Sequence, residues 1–99
     1  MDDTHRKGIT FDLDTKALKE NYTKSDWHNA YYDIRKYLEK EGFESISGST
    51  YHLINPMPEA RVLEIILELR QEHPWTMESV RVCTISDIPI TTDVTHLFS

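Results

Sequence analysis

Gly8-Ile9-Thr10-Phe11-Asp12-Leu13-Asp14 alternates strictly, with Ile9, Phe11 and Leu13 on one side and Thr10, Asp12 and Asp14 on the other. A two-residue period is that of a β-strand with one buried and one open face. Lys and Pro, the usual residues of an exposed edge, are absent from it. It carries β-branched and aromatic residues instead, so a central position in a sheet is expected. Asp12 and Asp14 then stand about 7 Å apart on the open face, two residues along one strand. Carboxylates on a rigid strand can take up a proton or bind a divalent cation. The same pattern also arises wherever a half-buried sheet faces water.

Working outward, residues 1–7 are polar and are expected to form a flexible N-terminal extension. Thr15 to Tyr22 connects the strand to the next element and can include a short helical turn. Ser25 or Asp26 is expected to cap a helix in which Trp27, Ala30, Tyr31, Ile34, Tyr37 and Leu38 recur every three or four residues. Gly42 provides its left-handed stop after about Glu41. Phe43–Ser47 and Thr50–Ile54 read as two strands of a hairpin around Gly48-Ser49. Pro58 suits the first turn of a second helix, Glu59 to about Glu72, burying Val62, Leu63, Ile66, Leu67 and Leu69. Glu64, Glu68 and Glu72 line its outer side, as a solvated acidic face. After His73-Pro74-Trp75 and a short turn over Thr76–Ser79, Val80 to Ile85 reads as a fourth strand. Residues 88–99 form a tail rich in β-formers that is expected to dock, a partner subunit being one candidate surface.

Composition narrows the classes. Ninety-nine residues, 28% charged and 38% apolar, make one ordinary globular domain, residues 8–87, with little core to spare. No apolar stretch approaches a membrane span, and residues 1–7 lack the apolar segment of a secretory signal. The single cysteine, Cys83, has no internal disulfide partner, which points to the reducing cytoplasm. A net charge of −6 argues against a protein that coats nucleic acid non-specifically. Residues 1–50 hold 8 Lys/Arg against 10 Asp/Glu (−2), and residues 51–99 hold 3 against 7 (−4). Any nucleic-acid contact should therefore be small, salt-sensitive and carried by the first half plus isolated arginines. No two of the five histidines have helical metal-ligand spacing, and the three glycines are scattered, so neither a zinc site nor a phosphate loop is expected.

The order βαββαβ is that of a ferredoxin-like α+β sandwich: a four-stranded antiparallel sheet with two helices on one face. Its other face is bare and carries Thr10, Asp12 and Asp14. A second copy of the chain is the natural cover, which predicts a two-fold homodimer.

Within this order, Phe11-Asp12-Leu13-Asp14-Thr15, Ala30-Tyr31-Tyr32-Asp33-Ile34-Arg35, Gly42-Phe43, Gly48-Ser49-Thr50-Tyr51 and Ser79-Val80-Arg81 resemble the virulence-associated protein D (VapD) family over about residues 8–87. The resemblance implies a ferredoxin-like homodimer with endoribonuclease activity on RNA, related in fold to the small CRISPR-associated nuclease subunit. Members can act as toxins, each with an antitoxin protein as partner. It also implies roles. Asp12 matches the first-strand aspartate near the dimer axis, and Ser49 and Tyr51 match the hairpin whose hydroxyls could position a scissile phosphate. Arg35 and Arg81 match two phosphate-neutralising arginines, and Asp14 is a supporting acid. Two departures stand out: Val82 occupies a position where the family often has Asp, and the N-terminus is longer.

Paired across a dimer axis, two Asp12 carboxylates would either hold a divalent cation such as Mg²⁺ or act as base and acid. Simpler roles compete at each position. Ser49 can be a turn residue, Tyr51 a packing ring, Arg35 a partner of Glu39, Arg81 a partner of any acid, and Cys83 a small buried hydrophobe. A non-catalytic dimer that serves as a scaffold is the competing function.

Overall fold

The computed structural model describes residues 6–22, 26–87 and 90–98. Strand β1 spans Lys7–Leu13, one residue earlier than the alternation alone suggests at both ends. It lies between β3 (Thr50–Leu53) and β4 (Val80–Asp87), with β2 (Phe43–Ser45) and β5 (Ile90–Asp93) at the edges. All neighbours are antiparallel, in the order β2-β3-β1-β4-β5. The first four strands thus have the ferredoxin-like arrangement, and the chain is the expected α+β sandwich with one strand added.

That fifth strand comes from the tail. Residues 90–93 pair with β4, and Val94 then donates its amide to the Cys83 carbonyl at 2.7 Å. A 3-10 turn, Thr95–Phe98, drives Phe98 into the core edge-on to Phe11, with ring centroids 6.0 Å apart. Arg70 donates to the Leu97 carbonyl at 2.7 Å and fastens the turn from above. The tail therefore docks on its own chain.

The helices follow from local chemistry. Helix α1 (Thr15–Asn21) starts at once after β1, because Asp14 accepts the Lys16 and Ala17 amides at 3.0 and 3.2 Å. Helix α2 (Asn29–Lys40) begins later than the cap expected at Ser25 or Asp26. Asp26 spends its side chain on the His28 amide, and the Asp26 and Trp27 carbonyls accept from Asn29 and Ala30 in a tight entry turn; Ser25 lies outside the described residues. Gly42, at φ +101, ends α2 in the left-handed region that favours glycine. Helix α3 (Glu59–Glu72) buries Val62, Ile65, Ile66 and Leu69, while Leu63 and Leu67 are only half-buried at its flanks. Arg61 answers the acidic row, reaching Glu68 at 2.9 Å and Glu41 at 3.2 Å. Helix α4 (Thr76–Ser79) is the short turn before β4.

One buried polar link ties the first half together. The Tyr22 hydroxyl donates to Asp33 at 2.6 Å, and its ring meets Trp75 edge-on with centroids 5.1 Å apart. Burial and the neighbouring carboxylate push the Tyr22 phenol well above its ordinary value. Burial likewise raises Tyr37, Tyr51 and the Cys83 thiol, each to about 12.

Replacing Tyr22 by Phe withdraws a donor from a buried carboxylate and should cost about 2 kcal/mol in urea unfolding. The raised groups set an alkaline limit. Protonated phenols and thiol are favoured only in the folded state, so their contribution is intact below the unfolded values, 9.0 for Cys83 and 10.0 for the tyrosines. It is lost as pH climbs towards the folded ones. The thermal midpoint should stay level from neutrality to about pH 9 and fall beyond it. An unchanged midpoint at about pH 11 would contradict this.

Candidate active site

Asp12 occupies the open face of β1 because Phe11 and Leu13, its neighbours on either side, are buried beneath the helices. Cross-strand pairing puts Thr10 between Thr50 and Thr84, and Asp12 beside Val82. The result is a polar track of hydroxyls with a carboxylate at one end.

Strict alternation from Cys83 and Val82 would turn Arg81 towards the core. The register instead slips, pairing Asp12 with Val82 but Leu13 with Val80, so Arg81 is the extra residue of a β-bulge. The bulge lets Val80 pack inward and frees Arg81 to face out. Its Nε and Nη2 both donate to Asp12 Oδ2, at 3.2 and 3.1 Å. The pair is solvated, with 63% of the arginine side chain and 52% of the aspartate exposed. Both bonds converge on one oxygen, and among the described residues Oδ1 and the guanidinium's Nη1 have no hydrogen-bond partner.

The other expected residues are distributed differently. Asp14 lies past the end of the strand and caps α1, so its carboxylate is engaged with backbone amides. Ser49 donates no side-chain hydrogen bond among the described residues, but its carbonyl accepts the Phe11 amide at 2.9 Å. The turn is thereby held one residue from Asp12 along β1. Tyr51 is buried, pairs with Ile9 across the strands and packs edge-on to Phe11. Its hydroxyl donates to the Gly48 carbonyl at 3.3 Å. Burial raises its phenol to about 12, with the Arg35 charge pulling the other way. Arg35 projects from α2 over a cleft of about 350 Å³ between that helix and the β2–β3 turn, shared with Tyr31, Tyr32 and Tyr51.

Two groupings result: Asp12 with Arg81 on the open face, and Arg35 with Tyr51 at the helix side of the hairpin. Tyr32 belongs to the second and was not expected. Its signal in the sequence is an aromatic residue off the apolar stripe of α2, three residues before Arg35. Cys83 is a fully buried hydrophobe on the core side of β4. No group of three or more His, Cys, Asp or Glu among the described residues could hold a metal ion. Asp12, already bound to a guanidinium, does not by itself fit one.

The architecture defines a class: a ferredoxin-like domain with an acid–arginine pair held by a bulge on its central strands. Comparison with known proteins carries this further. The chain is 32% identical over 82 residues to "Endoribonuclease VapD homolog" of Helicobacter pylori, covering 80% of this chain and 84% of that one. It is 27% identical over 73 residues to "Endoribonuclease VapD 2" of Riemerella anatipestifer, covering 74% and 78%. No family model matches the chain. The chain belongs to the VapD family. Among the described residues no helix is long and apolar enough to cross a membrane.

A solvent-exposed ion pair contributes little to folding. Asp12→Asn and Arg81→Gln should each change unfolding stability by less than about 1 kcal/mol, measured in urea. A larger loss would make the pair a structural brace.

Proposed function

We propose that this chain is an endoribonuclease that cuts RNA internally, working as a homodimer with the active site near the two-fold axis. The observation that supports it most is the Asp12–Arg81 pair, solvated and with hydrogen-bonding positions to spare, in a chain of this family. Cleavage needs a 2′-hydroxyl or water deprotonated and the charge on the phosphate stabilised. Asp12 Oδ1 is the base in this reading. The outward N–H groups of Arg81 take the non-bridging phosphate oxygens, a fork that suits a guanidinium. The bond between the two residues keeps base and clamp in register.

The leaving 5′-oxygen requires a proton, and the Asp12 carboxyl of a second copy is the proposed source. Two such carboxylates close together repel, and sharing one proton relieves this. The uncovered sheet face favours such pairing, since Val82 leaves an apolar side chain exposed beside Asp12. Ser49 and Tyr51 act from the hairpin in this reading, Ser49 by positioning RNA and Tyr51 by shaping the turn beneath it. Arg35 is a second phosphate contact, and Asp14 supports the site through the start of α1, which it caps just after β1. A divalent cation such as Mg²⁺ would need carboxylates pooled from both copies. The chain's role would be that of a toxin restrained by an antitoxin protein.

The net charge of −6 favours the other reading, a non-catalytic dimer that binds nucleic acid or protein as a scaffold. Labelled single-stranded RNA separates the two. Wild type should make internal cuts, and Asp12→Asn should lose at least about 100-fold in rate. Equal cutting by the variant, or none by a well-folded wild type, refutes the catalytic reading. Loss of cutting in a chelator would assign a cation to the paired carboxylates. Light scattering should give twice 11.6 kDa; a single-chain mass refutes the paired site.

A further inference from the structure

Helix α2 carries a second surface of different character, on its outer side. Tyr32 is 51% exposed, a high value for a large ring, and the Arg35 guanidinium lies over it 5.5 Å from the ring centroid. The ring lines two clefts. On one side is the cleft of about 350 Å³ bounded by Tyr31, Arg35 and the Ser47-Gly48 turn. On the other is a cleft of about 340 Å³ bounded by Lys36, Lys40, Glu72 and His73. Together they make a groove across α2 with an aromatic–guanidinium platform at its middle.

Among the described residues the cations of this groove are not held in ion pairs, and Lys40 Nζ lies 5.0 Å from the Tyr37 ring centroid. Arg61 is held by Glu41 and Glu68, Arg70 by the Leu97 carbonyl and Arg81 by Asp12. Among the described residues no carboxylate lies within ion-pair distance of Arg35. In a chain of net charge −6, α2 still presents Arg35, Lys36 and Lys40 outward, with Glu39 and the buried Asp33 on the same helix and Glu72 at the far border. Aromatic faces interleaved with cations suit a polymer of alternating flat apolar groups and anions. A peptide offers it only where its own sequence happens to alternate aromatic and acidic residues. A duplex keeps its bases stacked on one another and cannot use the ring.

We propose that the α2 groove holds an unpaired RNA strand, with one base stacked on the Tyr32–Arg35 platform and flanking phosphates on Arg35, Lys36 and Lys40. The groove deepens the endoribonuclease reading and rests on it: it makes single-stranded RNA the substrate class and gives the strand a path outside the Asp12–Arg81 pair. Tyr32 is a binding residue, remote from the open sheet face.

Fluorescence anisotropy of the full chain carrying Asp12→Asn, which removes the proposed base, tests this. The probes are a labelled unpaired RNA of about 12 nucleotides and a duplex of equal length. Adding Tyr32→Ala should weaken unpaired RNA about tenfold, as expected for one lost stack, and leave the duplex unchanged. Tyr32→Phe should keep the parent affinity. Because the ring is half exposed, the variant should fold, and its thermal midpoint checks this. Parent-like binding of unpaired RNA by Tyr32→Ala, or equal losses for both probes, overturns the proposal. Wild type that makes no cuts but shows this Tyr32 dependence sinks the catalytic reading and leaves the groove standing. Asp12-dependent cutting with Tyr32-independent binding sinks the groove alone.

Discussion

Strand β1 is hydrogen-bonded along both edges, and that constraint governs everything built around it. A slip of one residue would send Ile9, Phe11 and Leu13 into water and bury Thr10 and Asp12. Full burial of such side chains is worth about 1.5–3 kcal/mol each. Three of them roughly match the entire net stability of a small domain, about 5–15 kcal/mol. The register therefore has no affordable alternative, and Asp12 is fixed on the open face by the packing of its neighbours. The carboxylate needs no brace of its own, which leaves Arg81 free to be a functional partner.

The bulge at Arg81 is the one place where the central strands depart from regular pairing. It reconciles two demands that strict alternation sets against each other: Val80 inside and Arg81 outside, next to each other in sequence. Bulges twist strands and re-aim side chains, and this one brings a guanidinium onto the face of the facing strand's carboxylate. On the opposite flank the tail completes the core. Phe98 packs against Phe11, and Thr95 accepts the Cys83 amide at 2.8 Å, so β4 is enclosed by residues far along the chain.

Much of this was legible in the residues, and what was not has physical reasons. Periodicity is a local property, and it revealed β1, α2 and α3 and the exposure of Asp12. Asp14 continues the alternation of β1 and equally fits a helix cap; two amides of α1 decide for the cap, and nothing in the two-residue period could. Tyr51 belongs to a motif whose hydroxyl suggests chemistry. Its partner across the strands is Ile9, however, and parity with Leu53 puts its ring in the core. The site's second element, the bulge, depends on how two distant segments meet. So do the strand formed by the tail and the groove at Tyr32, and no window of sequence contains those meetings.

The charge distribution closes the account of how so acidic a chain could approach RNA. Long-range attraction is not available to it, and at physiological salt charges more than about 8 Å away are screened in any case. What matters is which cations remain uncommitted at short range. Arg61 is absorbed by the glutamates around α3, and Arg70 by the tail it fastens. Arg81 is half committed, with one edge on Asp12, while Arg35 rests on a tyrosine ring and has no ion-pair partner among the described residues. In the proposed reading, these uncommitted donors are the ones that would meet a base or a phosphate at contact distance. Acidic surroundings would then sharpen such a contact, because a strand displaced from those donors would meet carboxylates.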